Sequence, residues 1–313
     1  GEETTVNRTD ISYYSDKAAT VNAGFLAGQV AGYTELTRSN QAPNAPTLAV
    51  RSNITYTLRS RVDIEGNILE TPLMTGFDER SKQIFERPNG NFEGPETVTQ
   101  RRNIQYDDED RMLSYDQTSR SRGITTTEKY SVTGYDQRNR MTGFVSDKVE
   151  AGVRTVETRS NIKYNEVTDQ LMGYNSTIAT GSGANVVMSA VNFIVNGYDN
   201  VGRMIGWTTS DTVGGITTTT TRTATMFDKY GLTTAYTENS NMQGIITNTT
   251  RTSTYNNNGM LESYKDTSVE SGSYVDKNGK VVTLGKTTVS EQKNTTYNSD
   301  FQMTGFERSS EDN

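Results

Sequence analysis

An aromatic residue followed by Asp or Asn stands at Tyr106, Tyr135, Tyr164, Tyr198, Phe227, Tyr255 and Tyr297, at intervals of 29, 29, 34, 29, 28 and 42 residues. A second aromatic follows nine residues later, ten at Tyr174: Tyr115, Phe144, Tyr174, Trp207, Tyr236, Tyr264 and Phe306. Eight residues past that comes Gly123, Gly152, Gly215, Gly244 or Gly272, and in the Tyr174 unit Gly181 and Gly183 flank the position. Tyr33 and Phe77 extend the second aromatics to earlier copies, for about nine units in all. A period near 29 constrains the fold strongly, because each unit must bury its apolar face against its neighbours.

Each unit reads as two strands and two turns. In "YDNVG", "YDQRN", "FDKYG" and "YNNNG" the Asp or Asn can start a turn through its side-chain oxygen, and Gly or Asn tolerates positive φ at the exit. A strand such as "RMIGWTTSDT" follows, then the glycine turn, then a Thr-rich strand such as "ITTTTTRTATMF". Thr, with 49 copies, is β-branched and suits a pleated, half-buried surface. The expected fold is all-β, a repetitive antiparallel β-hairpin array. The alternative is a β-solenoid with one coil per unit, in which equivalent aromatics would lie about 4.8 Å apart instead of about 9.5 Å.

Alternation places Arg203, Ile205 and Trp207 on one face, with Met204 and Gly206 on the other. Arg140 and Phe144, like Arg111 and Tyr115, share a face in the same way. Arg111, Tyr115, Arg140, Phe144, Arg203 and Trp207 are therefore the candidate ligand or packing face. A small residue precedes each second aromatic, at 114, 143, 173, 206, 235, 263 and 305. It signals either a packed neighbour or a bulge in each strand.

All five prolines precede residue 96, and "QAPNAPT" and "ERPNGNFEGPE" read as long loops. Residues 1–100 are expected to form an irregular leading region with degraded repeats, and 101–313 the regular hairpin repeats. The 42-residue interval carries "SYVDKNGKVV", whose Asn278–Gly279 signals an additional short hairpin.

The string "YDNVGRM" at 198–204, with "YDQRNRM" and "YDDEDRM", resembles the YD repeat of the Rhs, teneurin and insecticidal toxin-complex shell families. Their core pattern is Tyr-Asp-x-x-Gly-Arg-Leu, here with Met204 in place of Leu. The resemblance covers roughly residues 100–313 and implies hairpins that spiral into a hollow shell in a large extracellular or secreted protein. The period is longer than that repeat's usual one, and the aspartate-rich self-cleavage signature of the bacterial shells does not occur.

Composition narrows the function classes. With no Cys and no His, nucleophile–base pairs of those residues and nearly all zinc sites are excluded. A net charge of −7 disfavours nucleic acid as a partner. No run of about 20 apolar residues offers a membrane-spanning helix. "DDED" at 107–110 reads as a solvated turn, and Asp136, Asp199 and Asp228 as turn residues instead of catalytic carboxylates. No catalytic, cofactor-binding or metal site is expected, and no enzyme activity. Asn7, Asn53, Asn175, Asn248 and Asn294 each begin an Asn-x-Thr sequon. The expected function is an extracellular or cell-surface structural protein that self-assembles through its strand edges into a fibre, sheath or coat. The alternative is an adhesin-like module that binds surface glycans through its Arg and aromatic face.

Overall fold

The computed structural model describes residues 3–14, 29–182, 185–299 and 301–313. These form a single antiparallel sheet of nineteen strands. The strands are β1 (Thr4–Tyr13), β2 (Val30–Ser39), β3 (Thr47–Val62), β4 (Ile68–Arg87), β5 (Gly90–Glu93), β6 (Thr97–Tyr106), β7 (Met112–Ser121), β8 (Ile124–Tyr135), β9 (Met141–Glu150) and β10 (Val153–Tyr164). They continue as β11 (Leu171–Ser182), β12 (Asn185–Tyr198), β13 (Met204–Val213), β14 (Ile216–Phe227), β15 (Thr233–Met242), β16 (Ile245–Tyr255), β17 (Leu261–Val275), β18 (Val281–Tyr297) and β19 (Met303–Asp312). Each strand pairs with the next, except that β4 pairs with both the short β5 and β6. Partners reflect about the predicted glycine turns: Glu150 faces Val153, Val213 faces Ile216, and Met242 faces Ile245. The array is one of hairpins, and no parallel solenoid rung forms among the described residues.

The two turn types have different chemistry and, apart from the Asp276 turn between β17 and β18, occupy opposite ends of the strands. Arg122–Gly123, Ala151–Gly152, Gly214–Gly215 and Gln243–Gly244 have positive φ at both positions, the two-residue turn whose twist matches the strands it joins. At the other end, Asp136 Oδ1 accepts the amides of Arg138 and Arg140, both at 2.9 Å, while the Asn139 amide returns to the Asp136 carbonyl. The fourth residue of this turn has positive φ in Asp110, Asn139, Gly202, Gly231 and Gly259, which accounts for the Gly, Asn and Asp found there. One edge of the sheet is thus a row of Asp or Asn turns, and the other carries the glycine turns together with the 40–46 turn and an Asp turn at Asp276 between β17 and β18.

Three expectations need correction. Gly272 makes no turn; it lies in β17 opposite Leu284, and the turn falls at 276–279. The extra residues lengthen the β17–β18 hairpin and add no separate one. "ERPNGNFEGPE" is not a plain loop either, because β4 and β5 pair across Arg87 and Gly90 within it.

The repeated small residue faces a bulge. Gly143 pairs with Gly134, Gly173 with Lys163, Gly206 with Gly197 and Gly305 with Thr296, each at a register shift. A Cβ on Gly143 would come within 2.9 Å of the Arg159 carbonyl on the strand beyond, and on Gly76 within 2.7 Å of that of Arg101. Many bulges carry a left-handed residue, among them Asp10, Asn53, Asn103, Asn161, Ala224 and Asn294. After Asn53, Asn103 and Asn161 the next residue turns inward, and Ile54, Ile104 and Ile162 are buried. Backbone pairing across each glycine-turn hairpin stops near this point, as at Phe144–Arg159 and Trp207–Arg222. Beyond it the first aromatic fills the gap. Tyr106, Tyr164, Tyr198 and Tyr255 donate their hydroxyls to the carbonyls of Met74, Met141, Leu171 and Thr233 at 2.7, 2.9, 2.6 and 2.7 Å.

The strip also coils, so that its glycine-turn edge meets its Asp-turn edge. Arg203 Nη1 donates to the Gln41 carbonyl at 3.2 Å, Arg87 to the carbonyls of Asn256 and Asn257 at 2.7 and 2.8 Å, and Gln302 to that of Arg122 at 2.6 Å. Phe85, Ala45 and Tyr230 form a small buried cluster at this seam. The contacts advance in step along both edges, about ten strands apart, which describes a spiral and not a closed barrel. The surface, 18505 Å², far exceeds the roughly 13,000 Å² expected for a compact monomer of this mass. Both sheet faces are largely wet and the core is a single layer of side chains.

Candidate functional site: an arginine and aromatic ladder

One row of side chains crosses the sheet from β1 to β17, one per strand with β5 passed over: Arg8, Tyr33, Arg51, Phe77, Arg101, Tyr115, Tyr130, Phe144, Arg159, Tyr174, Phe193, Trp207, Arg222, Tyr236, Arg251 and Tyr264. Each touches the next. Guanidinium carbons lie 4.0 Å from the ring centre of Tyr115 (Arg101), 3.9 Å from Tyr174 (Arg159) and 3.8 Å from Tyr236 (Arg222). Where the Arg place holds Tyr130 or Phe193, rings stack instead: Tyr115–Tyr130 at 4.9 Å, Tyr130–Phe144 at 5.0 Å and Tyr174–Phe193 at 4.9 Å. Second aromatics lie two strands apart, too far to stack directly, so the intervening strand supplies the filler.

Acids and amides beside the row hold the guanidiniums over the rings. Arg222 and Arg159 meet Glu238 and Glu157 at 2.9 and 2.7 Å, Arg251 Nε reaches Asp266 at 2.6 Å, and Arg101 donates to Gln117 at 2.6 Å. The Asp266 hydrogen bond raises the Arg251 pKa despite burial. Burial, followed by the neighbouring Tyr115 and Glu128, pushes the Tyr130 hydroxyl well above the usual phenol range. Most guanidiniums of the row are therefore paired with an acid, and its members are covered chiefly by their neighbours along the row.

The candidate residues divide between two rows. Tyr115, Phe144 and Trp207 are rungs of the ladder. Arg111, Arg140 and Arg203 belong to the Asp-turn edge: each closes on the Asp of its own turn, Asp107, Asp136 or Asp199, at 2.7 Å. Each also lies over the first aromatic of the following unit, at 4.7 Å over Tyr135, 5.1 Å over Tyr164 and 4.7 Å over Phe227. Arg140 reaches further, to Asp169 and Glu166 of the next turn, both at 2.8 Å. Burial opposes the charge of Asp136, but the Arg140 amide and guanidinium with the Arg138 amide outweigh it and hold the carboxyl below its ordinary range. Asp107 and Asp199 behave alike.

The ladder arginines themselves escaped the sequence reading. The signal was present: Arg101, Arg159 and Arg222 each stand five residues before the first aromatic Tyr106, Tyr164 or Phe227, and Arg51 stands the same distance before Tyr56. In "DDED", Asp107 caps the turn and Asp110 takes the left-handed position and pairs with Arg59 at 2.8 Å. The sequon residues Asn7, Asn53, Asn175, Asn248 and Asn294 are all exposed. Among the described residues no group of three or more acidic side chains is placed to hold a metal ion, and no helix is long and apolar enough to cross a membrane. No protein-family model and no curated protein matches the chain.

Proposed function

We propose that the chain is a structural scaffold of the extracellular or cell-surface kind, a coiled β-wall that assembles with itself, related to the YD-repeat shell proteins. The ladder carries this reading. From β1 to β17 it commits the most distinctive side chains of each unit to their neighbours, so the repeated residues build and stiffen a wall. The Asp turn, whose carboxylate caps the turn and grips an Arg that covers the next aromatic, gives the Tyr-Asp-x-x-Gly-Arg pattern a structural purpose. The spiral is the shape that the YD-repeat resemblance implies. A wall of this kind gains area by adding units, and its strand edges can template further strands.

The glycan reading has less support, since Tyr115, Phe144 and Trp207 have ladder neighbours on both sides and little ring face for a sugar. Electron microscopy of the purified chain over a range of concentrations tests the scaffold. Filaments, sheaths or sheets are expected; particles that stay monomeric at the highest attainable concentration overturn it.

A further inference from the structure

β1 and β19 each present one backbone ladder with no partner strand among the described residues. We infer that these two edges are complementary, and that β19 of one copy pairs antiparallel with β1 of a second copy, placing Phe306 against Arg8. The inference rests on the self-assembly proposed above and specifies its contact.

The direction fits. β19 runs from the Asp-turn edge toward the glycine-turn edge, as β7, β9, β13 and β15 do, and each of those is followed by a strand that runs back. β1 has the return direction, because it is antiparallel to β2, whose end leads into the 40–46 turn on the glycine edge.

The side chains fit as well. Arg8 lies two residues before the left-handed Asp10, as Arg101 does before Asn103 and Arg159 before Asn161. It already covers Tyr33 on one side, at 4.7 Å, while its side chain stays 55% exposed. Phe306 occupies the second-aromatic position of its unit and is 48% exposed, where Phe144 with a neighbour on each side is 9%. Setting Phe306 opposite Arg8 repeats the Phe144–Arg159 and Trp207–Arg222 register. Gly305 then meets the Arg8 carbonyl, the contact that Gly143 and Gly76 make with Arg159 and Arg101 and that Gly305 lacks. Tyr13, 57% exposed, comes to the place from which Tyr164 reaches Met141, with the Met303 carbonyl as its acceptor. The glycine edge is also open to a further coil: nothing lies within 4 Å of a Cβ built at Gly152, Gly215 or Gly244, whereas Gly123 meets Gln302 at the seam.

The register predicts that Ser309 faces Thr5, and the chain's lack of cysteine makes this testable by disulfide capture, which needs Cα atoms about 4.4–6.8 Å apart. Single variants Ser309→Cys and Thr5→Cys, each checked for native circular dichroism, are mixed and oxidised. The expected product is the mixed disulfide, with far less from Ser309→Cys and Val6→Cys, whose side chains point to opposite faces. In sedimentation, Phe306→Ala should weaken association about tenfold, the order of one aromatic–guanidinium contact. Association without register-specific capture overturns this contact and leaves the scaffold reading standing. Strict monomers overturn both.

Discussion

The hydroxyl of Tyr164 donates to the carbonyl of Met141 on the adjacent strand at 2.9 Å, in the gap where the backbone pairing of β9 and β10 has already stopped. The same bond recurs in other units, so the Tyr of the Tyr-Asp turn is a strut between strands as well as an apolar anchor. Phe227 is the one first aromatic without a hydroxyl. Tyr164→Phe should lower unfolding free energy by about 1 kcal/mol, and Phe227→Tyr, by reaching the Met204 carbonyl, should raise it by about as much. Urea midpoints moving in the same direction for both variants would contradict the strut.

Acid and alkali should act on different rows. Burial opposes the charge of Asp107, Asp136 and Asp199, yet their turn amides and arginines hold all three below the ordinary range. Their contribution is present above the unfolded carboxyl value, about 3.9, and is lost as pH falls through the lower folded one. Burial raises Tyr106, Tyr130, Tyr164, Tyr198 and Tyr255. Their contribution is complete below about pH 10 and is lost as pH rises through the higher folded values. The thermal midpoint should therefore form a plateau between these limits. Asp136→Asn, which can keep the Oδ1 acceptor but loses the charge, should soften only the acid limb.

The ladder predicts coupling between specific neighbours. A double-mutant cycle of Arg222→Gln and Tyr236→Leu should give about 0.5–1 kcal/mol, since the guanidinium sits over the ring but remains partly wet. The same cycle between Arg222 and Tyr264, two rungs further on, should give a coupling near zero. Equal couplings would mean that the row is not a chain of direct contacts.

At the seam, Phe85 is 3% exposed and meets Tyr230 edge-on at 6.3 Å. Phe85→Ala should cost about 3 kcal/mol. It should also expand the particle in small-angle scattering, because this cluster joins successive coils and not neighbouring strands. Destabilisation with unchanged dimensions would place the seam's strength elsewhere.

How much of this was legible in the sequence depended on whether a feature repeated. The hairpins, both turn types and the aromatic rungs recur with the period and follow from turn chemistry and alternation. Arg159 and Arg222 repeat too, but the bulge between them and the first aromatic shifts the alternation. Tyr130 and Phe193 stand in the same row in place of Arg and hide its identity. Gly143 and Gly206 announced a close approach without saying whether a bulge or another layer caused it. The seam was invisible, because it rests on residues such as Gln41 and Ala45 in the 40–46 turn and Phe85 at the end of β4, which occur once and follow no period.

The coil is the central claim, and a distance across the seam tests it most directly. Asn91 beside the β4–β5 turn and Asn257 in the β16–β17 turn are both exposed, and the absence of native cysteine allows clean labelling of Asn91→Cys/Asn257→Cys with a spin label pair. Along an uncoiled strip the two sites, eleven strands apart and on opposite edges, would be separated by at least about 53 Å. Pulsed electron-resonance distances should instead show one narrow population well under half that value. A broad distribution centred near the longer distance would contradict the coil, and with it the wall.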